Sequence, residues 1–371
     1  MGIYLGLVCF LLITSLIAKS YLHDNAKQEN FILKLNIFAM FLVCALKKET
    51  VGIDIAGYKW AYELAGTLPW SDFDFIYFEK GYILLTKVFA LLGCSFQMFL
   101  VIIYAFIFLV LYYFIKRYSK DVMLSLLIYI CYQFYIFNLS GLRQSIAIAV
   151  CLLAFRFLED KKIRSSIVFI LLVLIACSIH ISAVIFVLAI FAVRVKIRPA
   201  ILGGYLCACF AAVVLRSNVS AFLNSNFSTY RTASELSVGG SFLLILGVAA
   251  FSYFTFWYRS NKKRRISVDN KYTFSITPQK KCLFDIDYRS TCLVFLAVLL
   301  NLLLNGSTML RVVSYFSIFI IILLPNIIMR YASKSRFLIK WPIIILMLDI
   351  LYFQELSINQ FNILPYYFFW Q

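Results

Sequence analysis

Three short polar clusters interrupt long apolar runs in this chain: Gly141-Leu142-Arg143-Gln144-Ser145, Ser178-Ile179-His180-Ile181-Ser182, and Asn305-Gly306-Ser307 leading to Arg311. Arginine offers a fixed fork of donors that matches phosphate oxygens. Imidazole takes a proton near neutral pH or, once protonated, donates to an anion. Arg, His and Arg at successive turns therefore suit a polyanionic ligand and one proton transfer. Blander roles exist for each: an arginine at a helix end can snorkel to lipid headgroups, and a lone histidine can be structural. A fourth region, Lys47–Lys80, carries net charge −2 and mixes Tyr58, Trp60 and Tyr62 with Asp54, Glu63 and Glu79. Rings that stack on sugar faces and carboxylates that accept sugar hydroxyls have this composition, as does an aromatic belt at a membrane interface.

Other chemistries lack their residues. Asp72-Phe73-Asp74 and Asp285-Ile286-Asp287 look like the Asp-x-Asp metal–nucleotide motif, but the first falls on an outer loop and the second in a basic loop too short for a nucleotide-binding domain. The chain has no P-loop, no Gly-x-Ser-x-Gly and no His-Glu-x-x-His. Its ten cysteines form no Cys-x-x-Cys pair, and Cys207 and Cys209 are too close for a zinc knuckle. No metal and no cofactor is expected.

The elements that must position these residues follow from composition. Of 371 residues 63% are hydrophobic and 14% charged, and the mean hydropathy is +0.90. A soluble interior cannot hold that much apolar surface, so lipid is the solvent. An ordinary cytosolic enzyme, a disordered chain and a secreted disulfide scaffold are excluded. The net charge of +18 would suit nucleic acid in a soluble protein. In a membrane protein it is the excess of Lys and Arg in cytoplasmic loops, and no nucleic-acid partner is expected.

Runs long enough to approach a crossing fall at 2–18, 31–46, 97–115, 122–138, 142–158, 163–179, 181–194, 199–215, 239–258, 289–305, 308–329 and 338–353. The first has no basic leader and no small-residue cleavage site, so it is read as a retained span. The expectation is an all-α polytopic protein of twelve spans, one integral membrane domain over 1–371. Tyr82–Leu92 is too short to cross and is read as a re-entrant half-helix within an outer loop, 47–93. With both termini outside, 26 of the 35 Lys and Arg face inward; a full crossing at Tyr82–Leu92 would invert the basic clusters. A second outer loop covers 216–238 and a basic cytoplasmic loop 259–289, whose Lys262-Lys263-Arg264-Arg265 suits anionic lipid. Nine cations remain outside, among them Arg143, Arg216, Arg231 and Arg311 near membrane edges.

Four motifs now stand in order: Val51-Gly52-Ile53-Asp54 with Tyr58, Phe78-Glu79-Lys80-Gly81-Tyr82, Arg143-Gln144-Ser145-Ile146-Ala147, and His180-Ile181-Ser182-Ala183. Together they resemble the EpsG-like branch of the Wzy polysaccharide polymerases, whose pattern is VGxDxxxY, ExGY, RQxIA and HxSA. The resemblance covers residues 1 to about 195. Beyond that it rests on span count, on Arg311 followed by Tyr315, and on a eleventh helix ended by Pro325. Lys80 departs from the family's usual proline.

The resemblance implies a bacterial plasma-membrane glycosyltransferase related to the C class, with its site on the outer (periplasmic or extracellular) face. It would join undecaprenyl-pyrophosphate-linked repeat units into O-antigen (the glycan of lipopolysaccharide) or exopolysaccharide. The partners implied are the lipid-linked glycan donor and acceptor, the bilayer, and a flippase and chain-length regulator of the same pathway. Arg143 and Arg311 would hold pyrophosphate, and His180 would be either the base toward the acceptor hydroxyl or a donor to phosphate. Asp54 and Glu79 compete for the base. Tyr58 and Tyr82 would line the sugar site, with Gln144, Arg216, Arg231 and Tyr315 also contacting substrate. A lipid-linked-oligosaccharide flippase or other transporter has a similar span count but usually two similar halves, and no repeat is visible. An O-antigen ligase shares the chemistry, with a larger outer loop expected than 216–238.

Overall fold

The computed structural model describes residues 1–160, 162–194, 199–226, 240–269, 278–304 and 306–371. Among these the chain is all-helical, without a β-strand. Five helices among the described residues are long and apolar enough to cross a membrane: Gly2–Tyr21, Asn25–Ala45, Phe96–Tyr118, Ile286–Leu303 and Arg311–Ile328. Five further apolar helices are shorter, including Val122–Cys131, Ile163–Ile179 and Ile181–Ala192. Helix starts follow ordinary capping rules: Asp24, Ser95 and Asp121 each accept a backbone N–H of the first turn.

The chain divides into two compact units, Met1–Phe186 with Leu338–Gln371, and Val187–Phe337. In the first, Gly2–Tyr21 packs on Asn25–Ala45, which packs on Phe96–Tyr118; Leu142–Phe155 lies against Ile163–Ile179. Asn36 donates to Thr14 Oγ1 at 2.8 Å, a polar tie between the first two helices of the kind that holds helices together where the hydrophobic effect is absent.

The run 122–138, read as one span, is two helices, Val122–Cys131 and Phe134–Asn138, with Tyr132 extended between them. No Pro or Gly marks the break. The short second helix ends on side-chain partners: Tyr104 Oη donates to Asn138 O at 2.8 Å, and Lys47 Nζ donates to Leu139 O. Such partners satisfy carbonyls left open at a helix C-terminus. Pro325, read as ending its helix, lies inside Ile320–Ile328.

Connections in the first unit sort to two ends. One gathers residues 46–54, 139–143, 180–181 and 361–371. The C-terminal segment is laid along 46–53 by Phe369 N–H to Leu46 O (2.9 Å), Lys48 N–H to Tyr367 O (2.9 Å), Gly52 N–H to Asn362 O (3.0 Å) and Ile53 N–H to Phe361 O (2.9 Å). The other end holds Arg117 with Glu159, Tyr112 with Asn30 and Lys340 with Asp121. The helix Lys80–Leu91 has 12 residues, about 18 Å and short of a crossing. It packs on Ile55–Thr67 and Ile163–Ile179.

The second unit contains Pro199–Asn226, Gly240–Asp269, Pro278–Leu303, Gly306–Ser317 and Ile320–Ile328. Asp287, fully buried, accepts from Asn326 Nδ2 at 2.7 Å and from Arg330. Burial of that carboxylate is tolerable because both of its oxygens are engaged.

Candidate active site

Glycine lets two backbones meet at the site. A Cβ on Gly81 would lie 2.5 Å from Ser178 O and 2.7 Å from Ser178 C, so only glycine allows Lys80–Leu91 to approach the end of Ile163–Ile179 this closely. Glu79, the residue before that helix, is thereby carried to His180, the residue after the other. Gly52 acts likewise: its φ is +105° and a Cβ would run into Leu139 O. Loop 47–54 can therefore lie against the turn that leads into Arg143.

Three charged or titratable side chains converge there. Glu79 Oε1 faces His180 Nδ1 at 3.1 Å and accepts the Ile181 N–H at 3.0 Å. Glu79 Oε2 accepts from Arg143 Nη1. One carboxylate thus links an imidazole and a guanidinium drawn from separate helices. Burial pushes the Glu79 carboxyl up, but the His180 hydrogen bond, the charges of Arg143 and the imidazole, and the Ile181 N–H outweigh it and hold it at about 2. A carboxylate so stabilised is a poor base at neutral pH and a strong orienting acceptor.

Aromatic rings enclose the guanidinium. Arg143 Cζ lies 4.1 Å from the Phe78 ring centroid, 5.6 Å from Tyr58 and 5.9 Å from Tyr82. The three rings touch one another at centroid distances of 5.5–5.7 Å. Cation–π attraction strengthens where water is excluded, and Arg143 is only 15% exposed in its side chain. The Tyr82 hydroxyl is buried and makes no hydrogen bond. His180 is 4% exposed. With Nδ1–H turned to the Glu79 carboxylate, Nε2 is the basic nitrogen of the neutral ring.

Asp54 stands beside this cluster, its Oδ2 facing Ser140 Oγ at 3.5 Å. Gln144 is buried next to Arg143 in sequence. Arg216 (buried), Arg311 (half-buried) and Tyr315 (buried) belong to the second unit. Arg231 lies outside the described residues. Among the described residues no group of three His, Cys, Asp or Glu could hold a metal ion.

Two participants were not singled out from sequence. Phe78 is the ring nearest Arg143, and its signal was its place in Phe78-Glu79-Lys80-Gly81-Tyr82. Lys47 read as one outer cation among nine, yet it is fully buried, with Nζ donating to Val51 O at 2.8 Å and to Leu139 O. Burial pulls its ammonium down to about 7, against the charge of Asp54. It fastens the 47–51 loop to the turn before Arg143.

A family model described as the EpsG family matches residues 30–368. No curated protein and no solved structure matches the chain.

Proposed function

The chain belongs to the EpsG family, and on that premise we propose that it polymerises undecaprenyl-pyrophosphate-linked repeat units into O-antigen or exopolysaccharide at the outer face of a bacterial plasma membrane. The observation that carries this reading is the Arg143–Glu79–His180 constellation inside its aromatic enclosure. In the proposed architecture twelve spans, related to the C-class glycosyltransferases, hold this cluster at the outer membrane edge. The grouping of 46–54, 139–143, 180–181 and 361–371 at one end of the first unit supports that alternation.

The acceptor's terminal hydroxyl attacks the anomeric carbon of the donor glycan. A new C–O glycosidic bond forms, the C–O bond to pyrophosphate breaks, and the electron pair leaves with the lipid pyrophosphate. Arg143 carries the developing negative charge. Fixed donors in a water-poor site need no reorganisation at that moment. His180 takes the hydroxyl proton on Nε2, while Glu79 fixes the ring's orientation through Nδ1 and stabilises the imidazolium that forms. Glu79 itself is unsuited as the base because Arg143 and His180 hold it ionised. Tyr58 and Tyr82 present ring faces to the sugars, and Asp54 and Gln144 contact hydroxyls.

The purified protein in liposomes, given a lipid-linked single repeat unit and no nucleotide sugar, is the direct test. Elongated lipid-linked chains are expected. Absence of any chain longer than the input, with the same lipid merely moved across the bilayer, would make the protein a flippase.

A further inference from the structure

A groove of about 590 Å³ lies between Phe96–Tyr118 and the end of Leu142–Phe155, and none of its lining residues belongs to the site described above. Its wall is apolar, with Val110, Tyr113 and Leu153 among its lining, and its rim carries Lys116, Arg117 and Arg156. Tyr113 is 58% exposed and Leu153 39%, so the groove opens to the surroundings of the helices. Lys116 and Arg117 occupy the last turn of a 23-residue apolar helix. That turn stands at a headgroup layer whichever way the helix crosses.

The three cations are not equivalent. Arg117 is forked onto Glu159, Nε to Oε1 at 3.1 Å and Nη2 to Oε2 at 2.7 Å, so its charge is cancelled locally. Lys116 Nζ donates to the Tyr112 hydroxyl at 3.1 Å, a neutral partner. Among the described residues no acid pairs with Arg156. Two positive charges thus remain uncompensated at the mouth of an apolar groove. Val110 lies six residues before Lys116, about 9 Å down the helix axis, the depth of a glycerol backbone and the first acyl carbons. Charge complementarity and this spacing select an amphiphile with an anionic head.

We propose that the groove seats one anionic glycerophospholipid, its phosphate on Lys116 and Arg156 and its upper acyl chain along Val110, Tyr113 and Leu153. Basic pockets between membrane helices recognise such headgroups by charge. The site is independent of the polymerase reading, since it uses none of those residues.

The test takes the full-length protein in detergent with dioleoylphosphatidylglycerol or dioleoylphosphatidylcholine as probe, read by native mass spectrometry and by thermal midpoint. One phosphatidylglycerol is expected to stay bound and raise the midpoint, with phosphatidylcholine doing neither. Lys116→Gln/Arg156→Gln should weaken half-saturation at least about 10-fold. Leu153→Trp, which fills the groove and keeps every charge, should also expel the lipid, and it keeps the test decisive if the double variant fails to fold. Lys262→Gln/Lys263→Gln should change nothing. Equal stabilisation by both lipids, retention of phosphatidylglycerol by Leu153→Trp, or its loss only in the Lys262/Lys263 variant would each overturn the proposal.

Discussion

Arg143 is held by a carboxylate on one edge and by ring faces around it, and each restraint predicts a different failure. Arg143→Lys keeps the charge but loses the planar fork and the stacking on Phe78, so polymerisation is expected to fall about 10²–10³-fold. Chain-length analysis at matched expression checks this. Glu79 predicts a pH signature. Its folded-state value of about 2 lies below the ordinary 4.5, so its stabilising contribution is complete above about 4.5 and is lost only as pH falls toward 2. Any decline in turnover on acidification from neutral pH must therefore come from another group. His180→Gln should abolish turnover, because Gln cannot take the hydroxyl proton. Retention of measurable turnover in His180→Gln, with loss in His180→Ala, would instead make the histidine a positioning donor. Glu79→Gln should cost about 10²-fold while leaving Arg143 in place, because the imidazole loses its orienting charge.

Backbone approach, at the scale of elements, is what the motifs encode. Glu79 and His180 are 101 residues apart, and each was visible in sequence as a candidate. Their pairing was not visible, because it depends on Gly81 lying against the Ser178 backbone, a tertiary contact that local pattern does not carry. The same holds for the break at Tyr132, which no Pro or Gly announces, and for Lys47, whose partners Val51 O and Leu139 O come from two loops. Gly81→Ala should separate the two helices and reduce activity about as severely as losing Glu79, with protein still inserted; a glycan ladder of parental length would refute the close-approach argument. The C-terminal segment has a similar positioning role. Deleting residues 361–371 removes the backbone partners of Leu46, Lys48, Gly52 and Ile53; of these Gly52 is buried, and leaving its N–H unsatisfied costs about 1–3 kcal/mol. Such a truncation should lose polymerisation and lower the thermal midpoint, although Arg143, Glu79 and His180 are all retained.

For the whole molecule, composition made the membrane class legible and the order of polar turns made one face chemically distinct. Helix lengths were less legible: several crossings inferred from apolar runs are short or broken helices, such as Val122–Cys131 and the 3₁₀ run Ile181–Leu188. Hydropathy reports burial in lipid or protein alike and does not register where a helix ends. The proposed orientation has a direct check. In a background without native cysteines, single cysteines at Ser71 and Ser225 should react with an impermeant thiol reagent on intact cells, and one at Ser267 should not. Labelling of Ser267 from outside would reverse every assignment of face.

The polymerase reading itself is tested most directly by the chain-length distribution of surface and lipid-linked glycan. The comparison is a strain deleted for this protein against the same strain complemented with the parent or with Arg143→Lys. The account predicts single repeat units on their anchor in the deletion, a full ladder with the parent, and single units again with Arg143→Lys. Complete absence of outer-face glycan in the deletion, or a full ladder with Arg143→Lys, would contradict it.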